Sequence, residues 1–113
     1  MKPKLKEGYI AVWNTYPIDE IKIRVCRPSV LAPSKNLLWK WKANAIDWDQ
    51  YEMEYLLDLL LNPKSREKLY EVVLMLKQGQ TVRLMCYEKE PPCHRFTLKD
   101  AIEILFEKET EKR

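Results

Sequence analysis

The sequence has no long hydrophobic run. Its longest apolar stretches, YIAVW and the LLDLLL segment interrupted by Asp58, fall far short of the roughly 20 residues a membrane-spanning helix needs. The N-terminal MKPKLKEGY lacks the apolar stretch of a signal peptide, so a cytosolic protein with no membrane association is expected. A charge excess is missing as well: 20 Lys and Arg against 17 Asp and Glu leave +3, too little for a dedicated nucleic-acid binder. Only two glycines occur, and with 33% charged residues leaning toward Lys and Glu the composition suits a rigid chain. The three cysteines cannot all pair within one chain, which fits thiols in a reducing compartment. There is no internal repeat, no low-complexity segment, and no Cys-x2-Cys or His-x3-His pair.

What is present is enough for one core. With 113 residues and 46% hydrophobic content, the chain reads as a single domain over residues 1–113. GYIAVWNTYPID, ending at a turn signal over Asn14 to Pro17, predicts a strand from Tyr9 to Thr15. IKIRVCRP alternates Ile21, Ile23 and Val25 with Lys22, Arg24 and Cys26 and stops at Pro28, a second strand. Ser34 caps a short helix whose inner face carries Leu37, Leu38 and Trp41. Behind Asp47, residues Trp48, Tyr51, Tyr55, Leu56 and Leu59 recur at helical spacing. Asn62-Pro63 ends that helix and begins another, faced by Leu69, Val72, Val73 and Leu76 and closed at Gly79. TVRLMCY is a further strand. Leu98, Ala101, Ile102 and Leu105 mark a last helix, starting either at a Thr97–Asp100 capping box or earlier, near Pro92 or Cys93. This order predicts an α/β fold: a small, mostly parallel sheet flanked by helices.

Ligands in such sheets bind beyond the carboxyl ends of the strands, which is where Arg27 and the Cys86 to Arg95 loop fall. The loop ends in LMCYEKEPPCHR. Together with VCRPSVLAPSKNLLWKWK and WDQYEMEYLLDLL, this ending resembles the domain-of-unknown-function family 488 over most of the chain. The resemblance implies a small cytosolic α/β protein with no agreed biochemical activity. Its polar positions carry over here to Arg27, Cys86, Glu88, Cys93, His94 and Arg95. Many relatives place an aspartate before the arginine, whereas this chain has Cys26 before Arg27.

A thiol at a helix start faces the positive end of the helix dipole, and Arg95 two positions on adds charge, so Cys93 is the candidate nucleophile. His94 is the candidate base and Glu88 the group that orients it. Arg27, Arg95 and Cys86 are the candidate ligand-binding residues, suited with the helix N–H groups to a phosphate or carboxylate. The competing readings are structural: Cys86 as a small buried hydrophobe, Cys93 as a cap, His94 as a packed loop residue, and Glu88 as a solvated turn residue. Neither a metal nor a cofactor is expected, because Cys93 and His94 would point about 100° apart on a helix. Cys86 precedes Arg95 by nine positions and Cys93 by two, which rules out a Cys-x5-Arg phosphatase loop. A Cys86–Cys93 disulfide stays open. The expected partner is a small anionic, phosphate-bearing ligand, a nucleotide included; whether it is bound or turned over is left undecided. The alternative is a nucleic-acid or protein-binding module in which Trp39, framed by Lys35, Lys40 and Lys42, is the exposed platform and the Cys-His-Arg loop is structural.

Overall fold

A computed structural model describes residues 2–87 and 93–111. Three strands, β1 (Leu5–Tyr9), β2 (Ile21–Arg24) and β3 (Val82–Cys86), form one parallel sheet in the order β1-β3-β2. The central strand is the most apolar, with Val82, Leu84, Met85 and Cys86 all buried. Leu5 and Ile21 both pair with Val82, so the flanking strands enter in step. Their carboxyl ends, at Tyr9, Arg24 and Cys86, therefore emerge at one edge of the sheet.

Among the described residues four α-helices pack with the sheet: α1 (Lys35–Lys42), α2 (Trp48–Leu61), α3 (Pro63–Lys77) and α4 (His94–Glu111). Their starts follow the capping signals in the sequence. Ser34 Oγ accepts the Leu37 N–H at 3.1 Å, and Asp47 Oδ1 accepts that of Gln50 at 2.8 Å. Asn62 Oδ1 accepts from Lys64, with Pro63 at the first helical position. Gly79, at φ 83°, takes the left-handed turn after α3 that a side chain would strain. Because strand side chains alternate, Val82, Leu84 and Cys86 join Leu5 and Ile23 in the helix-facing core, with Tyr51, Tyr55, Leu69, Leu98, Ile102 and Phe106. None of the helices described is long and apolar enough to cross a membrane.

Two elements differ from the sequence reading. The strand expected over Tyr9–Thr15 is displaced: β1 ends at Tyr9, and Ile10–Thr15 is a 3-10 helix with no buried residue. The ladder ends because β3 ends, with Tyr9 opposite Cys86, and the Tyr9 N–H turns instead to Tyr16 Oη at 3.0 Å. The second difference lies at α4. The helix begins at His94, so Thr97 is inside its first turn and gives its hydroxyl proton to Glu52 rather than capping.

The other face of the sheet is closed by charge. Arg83 donates from Nε and Nη2 to the two carboxylate oxygens of buried Glu20, at 2.7 and 2.8 Å, and stacks over the Tyr16 ring. That fork of hydrogen bonds holds the Glu20 carboxyl below its usual range, against the opposing effect of burial. Gly8 leaves room for this layer. A Cβ there would come within 2.9 Å of Arg83, Met85 and Tyr16 side chains.

Tyr55, fully buried in α2, donates its hydroxyl to the Leu31 carbonyl at 2.6 Å and so ties the β2–α1 connection to the core. Tyr55→Phe should lower unfolding stability by about 1 to 3 kcal/mol, through the orphaned carbonyl. Tyr55→Ala should cost about 3 to 5 kcal/mol, through the added cavity. Urea denaturation of both variants measures the difference; a Tyr55→Phe variant as stable as wild type would remove the hydrogen bond from the account.

Candidate functional site

Cys86 ends β3 and Cys93 stands immediately before α4. The sheet and the helix bring their sulfurs to 3.5 Å, with both side chains buried and no disulfide between them. Glu88, assigned to orient His94, lies in 88–92, outside the described residues. Among the described residues a main-chain group meets the ring: His94 Nε2 lies 2.6 Å from the Val25 carbonyl just after β2. A carbonyl only accepts, so Nε2 carries the proton, and in the neutral ring Nδ1 presents its lone pair. Nδ1 sits 3.8 Å from Cys93 Sγ. The Tyr55 ring packs edge-on against the imidazole, centroids 5.5 Å apart, and fixes it from a third side.

The Cys93 thiol is brought from 9.0 to about 7. The largest cause is the hydrogen bond from the Cys86 thiol. Burial opposes it, and the Arg95 N–H and guanidinium add to the lowering. Arg95 is buried rather than presented to solvent: its Nε donates to Glu7 Oε2 of β1 at 2.7 Å, and its guanidinium lies over the Phe96 ring. Its charge thus acts on Cys93 from within the protein.

Arg27 is exposed. It lines a cavity of about 150 Å³ with Cys26, Pro33, Leu38, Cys86, Tyr87 and His94. Beyond the imidazole, Trp41, Trp48, Tyr51, Cys93 and His94 line a second cavity of about 110 Å³. Arg24, at the end of β2, donates to Cys26 Sγ and to the Tyr87 hydroxyl, adding a second cation beside the first cavity. Arg27, Cys86, Cys93 and His94 therefore come together, and Arg95 supports them from behind. The aromatic segment divides as expected: Trp41 packs against Trp48, while Trp39 is 66% exposed.

The angular argument against a metal does not hold in this geometry. Cys93 precedes the helix, so the 100° helical separation does not apply, and the donor atoms of Cys86, Cys93 and His94 all lie within 4.8 Å of one another. Sequence reasoning missed Glu7 and the Val25 carbonyl. Glu7 sits in a charged edge strand and looks like any solvated glutamate, and a main-chain carbonyl leaves no residue signal.

The fold and site define a small α/β protein with a dithiol and a histidine at the carboxyl edge of a three-stranded parallel sheet. A family model described as the active DUF488-N3 subclade matches residues 25–104, most of the chain, and the chain belongs to this DUF488 family. No curated protein and no solved structure matches it. The matched span holds Cys86, Cys93, His94 and Arg95 but not Glu7, so the ion pair behind the thiol reaches outside it.

Iodoacetamide labelling of Cys93 should rise with a midpoint near pH 7, and in Cys86→Ala the midpoint should move up toward the ordinary thiol value. A midpoint unmoved by that substitution would remove Cys86 as the donor. Because the folded-state pKa is depressed, the thiolate's contribution to stability is full above the unfolded thiol value. It is lost as pH falls through about 7, so wild type should gain stability between pH 7 and 9 relative to Cys93→Ser. Arg95→Ala should cost about 1 to 3 kcal/mol by orphaning Glu7 and should also raise the labelling midpoint. Melting curves and the same labelling series test both effects.

Proposed function

We propose that the chain is a small thiol-dependent enzyme acting on a phosphate-bearing or otherwise anionic compound, with Cys93 as nucleophile and His94 as its base. One observation carries this reading: Cys93 Sγ lies 3.8 Å from a His94 Nδ1 whose lone pair is set by the proton that Nε2 gives to Val25. A nucleophile, a base and a group that orients the base is the arrangement covalent catalysis needs. The Val25 carbonyl orients the ring; Glu88, to which the sequence reading gave that part, lies outside the described residues.

In this reading His94 Nδ1 removes the Cys93 proton as the sulfur attacks the electrophilic centre. The same proton leaves with the departing group. Cys86 stabilises the thiolate by donating its S–H, and Arg95, neutralised by Glu7, holds the sulfur's charge in place. Arg27 lines the first cavity and offers its guanidinium to an anionic group there, while Arg24 holds the Cys26 and Tyr87 side chains of that lining. At about 150 Å³ that cavity is below the ordinary range for a whole small-molecule ligand, so it suits one charged group with the remainder of a nucleotide or metabolite outside.

The test is a thermal-shift series across inorganic phosphate, phosphomonoesters and nucleotides. Wild type should melt higher with a phosphomonoester, and Arg27→Ala should lose most of the shift while keeping its own melting temperature. Any turnover found should vanish in Cys93→Ser. A shift of equal size in Arg27→Ala, or turnover that survives Cys93→Ser, sinks the reading. Exposed Trp39 supports a second reading, a nucleic-acid or protein-binding face, which predicts that Trp39→Ala weakens binding of a single-stranded oligonucleotide.

A further inference from the structure

Two thiol sulfurs and an imidazole nitrogen face one another in a buried space, with separations of 3.5 Å between the sulfurs and 3.8 Å between Cys93 Sγ and His94 Nδ1. In a tetrahedral zinc site with Zn–S near 2.3 Å and Zn–N near 2.0 Å, the sulfurs stand about 3.8 Å apart, and sulfur and nitrogen about 3.5 Å. Those two separations need only a few tenths of an ångström of adjustment, and the third, from Cys86 Sγ to the imidazole, lies within 4.8 Å and closes by up to about 1.3 Å as a cation draws the donors in. We propose that Cys86, Cys93 and His94 form a three-donor site for a thiophilic divalent cation of the zinc class.

The second line of support is the imidazole's outer partner. A histidine that ligates a metal characteristically gives its other ring proton to a carbonyl or carboxylate, which fixes the tautomer and aims the ligating nitrogen. His94 does this with Val25, leaving Nδ1 as the donor on the side of the two sulfurs. Charge also closes. Two thiolates neutralise a dication, and the nearby Arg95 is neutralised by Glu7, so the filled site carries no net charge into the core. Thiolate and imidazole ligands select zinc-class ions over magnesium or calcium.

Three protein donors leave a fourth position for a water or a small anion, as in zinc sites that keep an exchangeable ligand. Space for it exists on both sides of the imidazole, in the cavities lined by Cys86 and His94 and by Cys93 and His94. The inference shares Cys93 and His94 with the catalytic reading but does not rest on it. The same lone pairs cannot attack a substrate and hold a cation, so a bound ion silences Cys93.

The test uses the reduced, metal-free full chain titrated with Co2+ and then with Zn2+. One Co2+ per chain should bind, with a thiolate-to-cobalt charge-transfer band and the intense visible bands of tetrahedral coordination, and Zn2+ should abolish both. Cys86→Ser and Cys93→Ser should each weaken binding by about 100-fold or more, beyond what the loss of an outer-shell partner costs. Cys26→Ser should leave it unchanged, and His94→Gln should weaken it while melting within a few degrees of wild type. Absence of the charge-transfer band, a stoichiometry well below one, or a band that survives Cys86→Ser or Cys93→Ser overturns the proposal. Iodoacetamide separates the two ideas: Zn2+ should protect both Cys86 and Cys93 from labelling. Unprotected Cys93 with a labelling midpoint near pH 7 would retain the nucleophile and reject the metal.

Discussion

The hydrogen bond from His94 Nε2 to the Val25 carbonyl, 2.6 Å long, sets the chemistry at this edge of the sheet. It joins the start of α4 to the end of β2, across a chain separation of 69 residues, and does so through a ring whose two nitrogens cannot exchange roles while it persists. Were Nε2 the unprotonated nitrogen, it would face a carbonyl oxygen with no proton between them. The tautomer is therefore dictated by the sheet, and the nitrogen left over faces Cys93. Both uses of His94 argued above, as base and as ligand, follow from this one contact.

The contact exists because β2 and β3 run parallel in register. Ile21 and Val82 begin together, so Val25 comes out one residue past the Arg24–Met85 pair, and the Val25 N–H donates to the Met85 carbonyl at 2.8 Å. Its N–H is thus spent within the sheet while its carbonyl is left for the imidazole. Behind the site, Glu7 reaches Arg95 because Glu7 pairs with Leu84 in β1 and shares its face, the one turned toward the helices. A one-residue slip of β1 would turn Glu7 away and leave a buried guanidinium without its carboxylate.

Legibility in the sequence tracked how local each cause was. Ser34, Asp47, Asn62-Pro63 and Gly79 act on their own helix ends, so the sequence located those ends correctly. β1 was not legible. LKEGY carries Lys6 and Glu7 because it is an edge strand with one partner, and it alternates less clearly than the IAVW that follows, which carries β-branched and aromatic residues into a 3-10 turn. The start of α4 was ambiguous because Thr97 and Asp100 make a local capping pattern, and Glu52 of α2 takes the Thr97 hydroxyl instead. At the site, the signature residues identified the place, and Cys86, Cys93, His94 and Arg27 do adjoin one another. What the sequence could not give was Arg95's role, since an arginine beside a loop reads as solvent-facing until the distant Glu7 is brought to it.

Burial makes the three soft donors an unusual store of reactivity. In water, two thiols and an imidazole would each have solvent to share their protons and lone pairs with; at this edge of the sheet they have chiefly each other, the Arg95 groups and two small cavities. Lowering the Cys93 pKa therefore requires a neighbour that donates, and Cys86 is that neighbour only while it keeps its own proton. Removing the second proton as well would set two thiolates 3.5 Å apart with one guanidinium between Glu7 and the pair, an arrangement that Coulomb repulsion at low dielectric resists unless a cation arrives with the second ionisation. In the two proposals, the singly ionised state serves as the nucleophile and the doubly ionised state as the ligand set. What divides them is a single proton on Cys86, so the two chemistries are successive states of one dithiol rather than rival assignments.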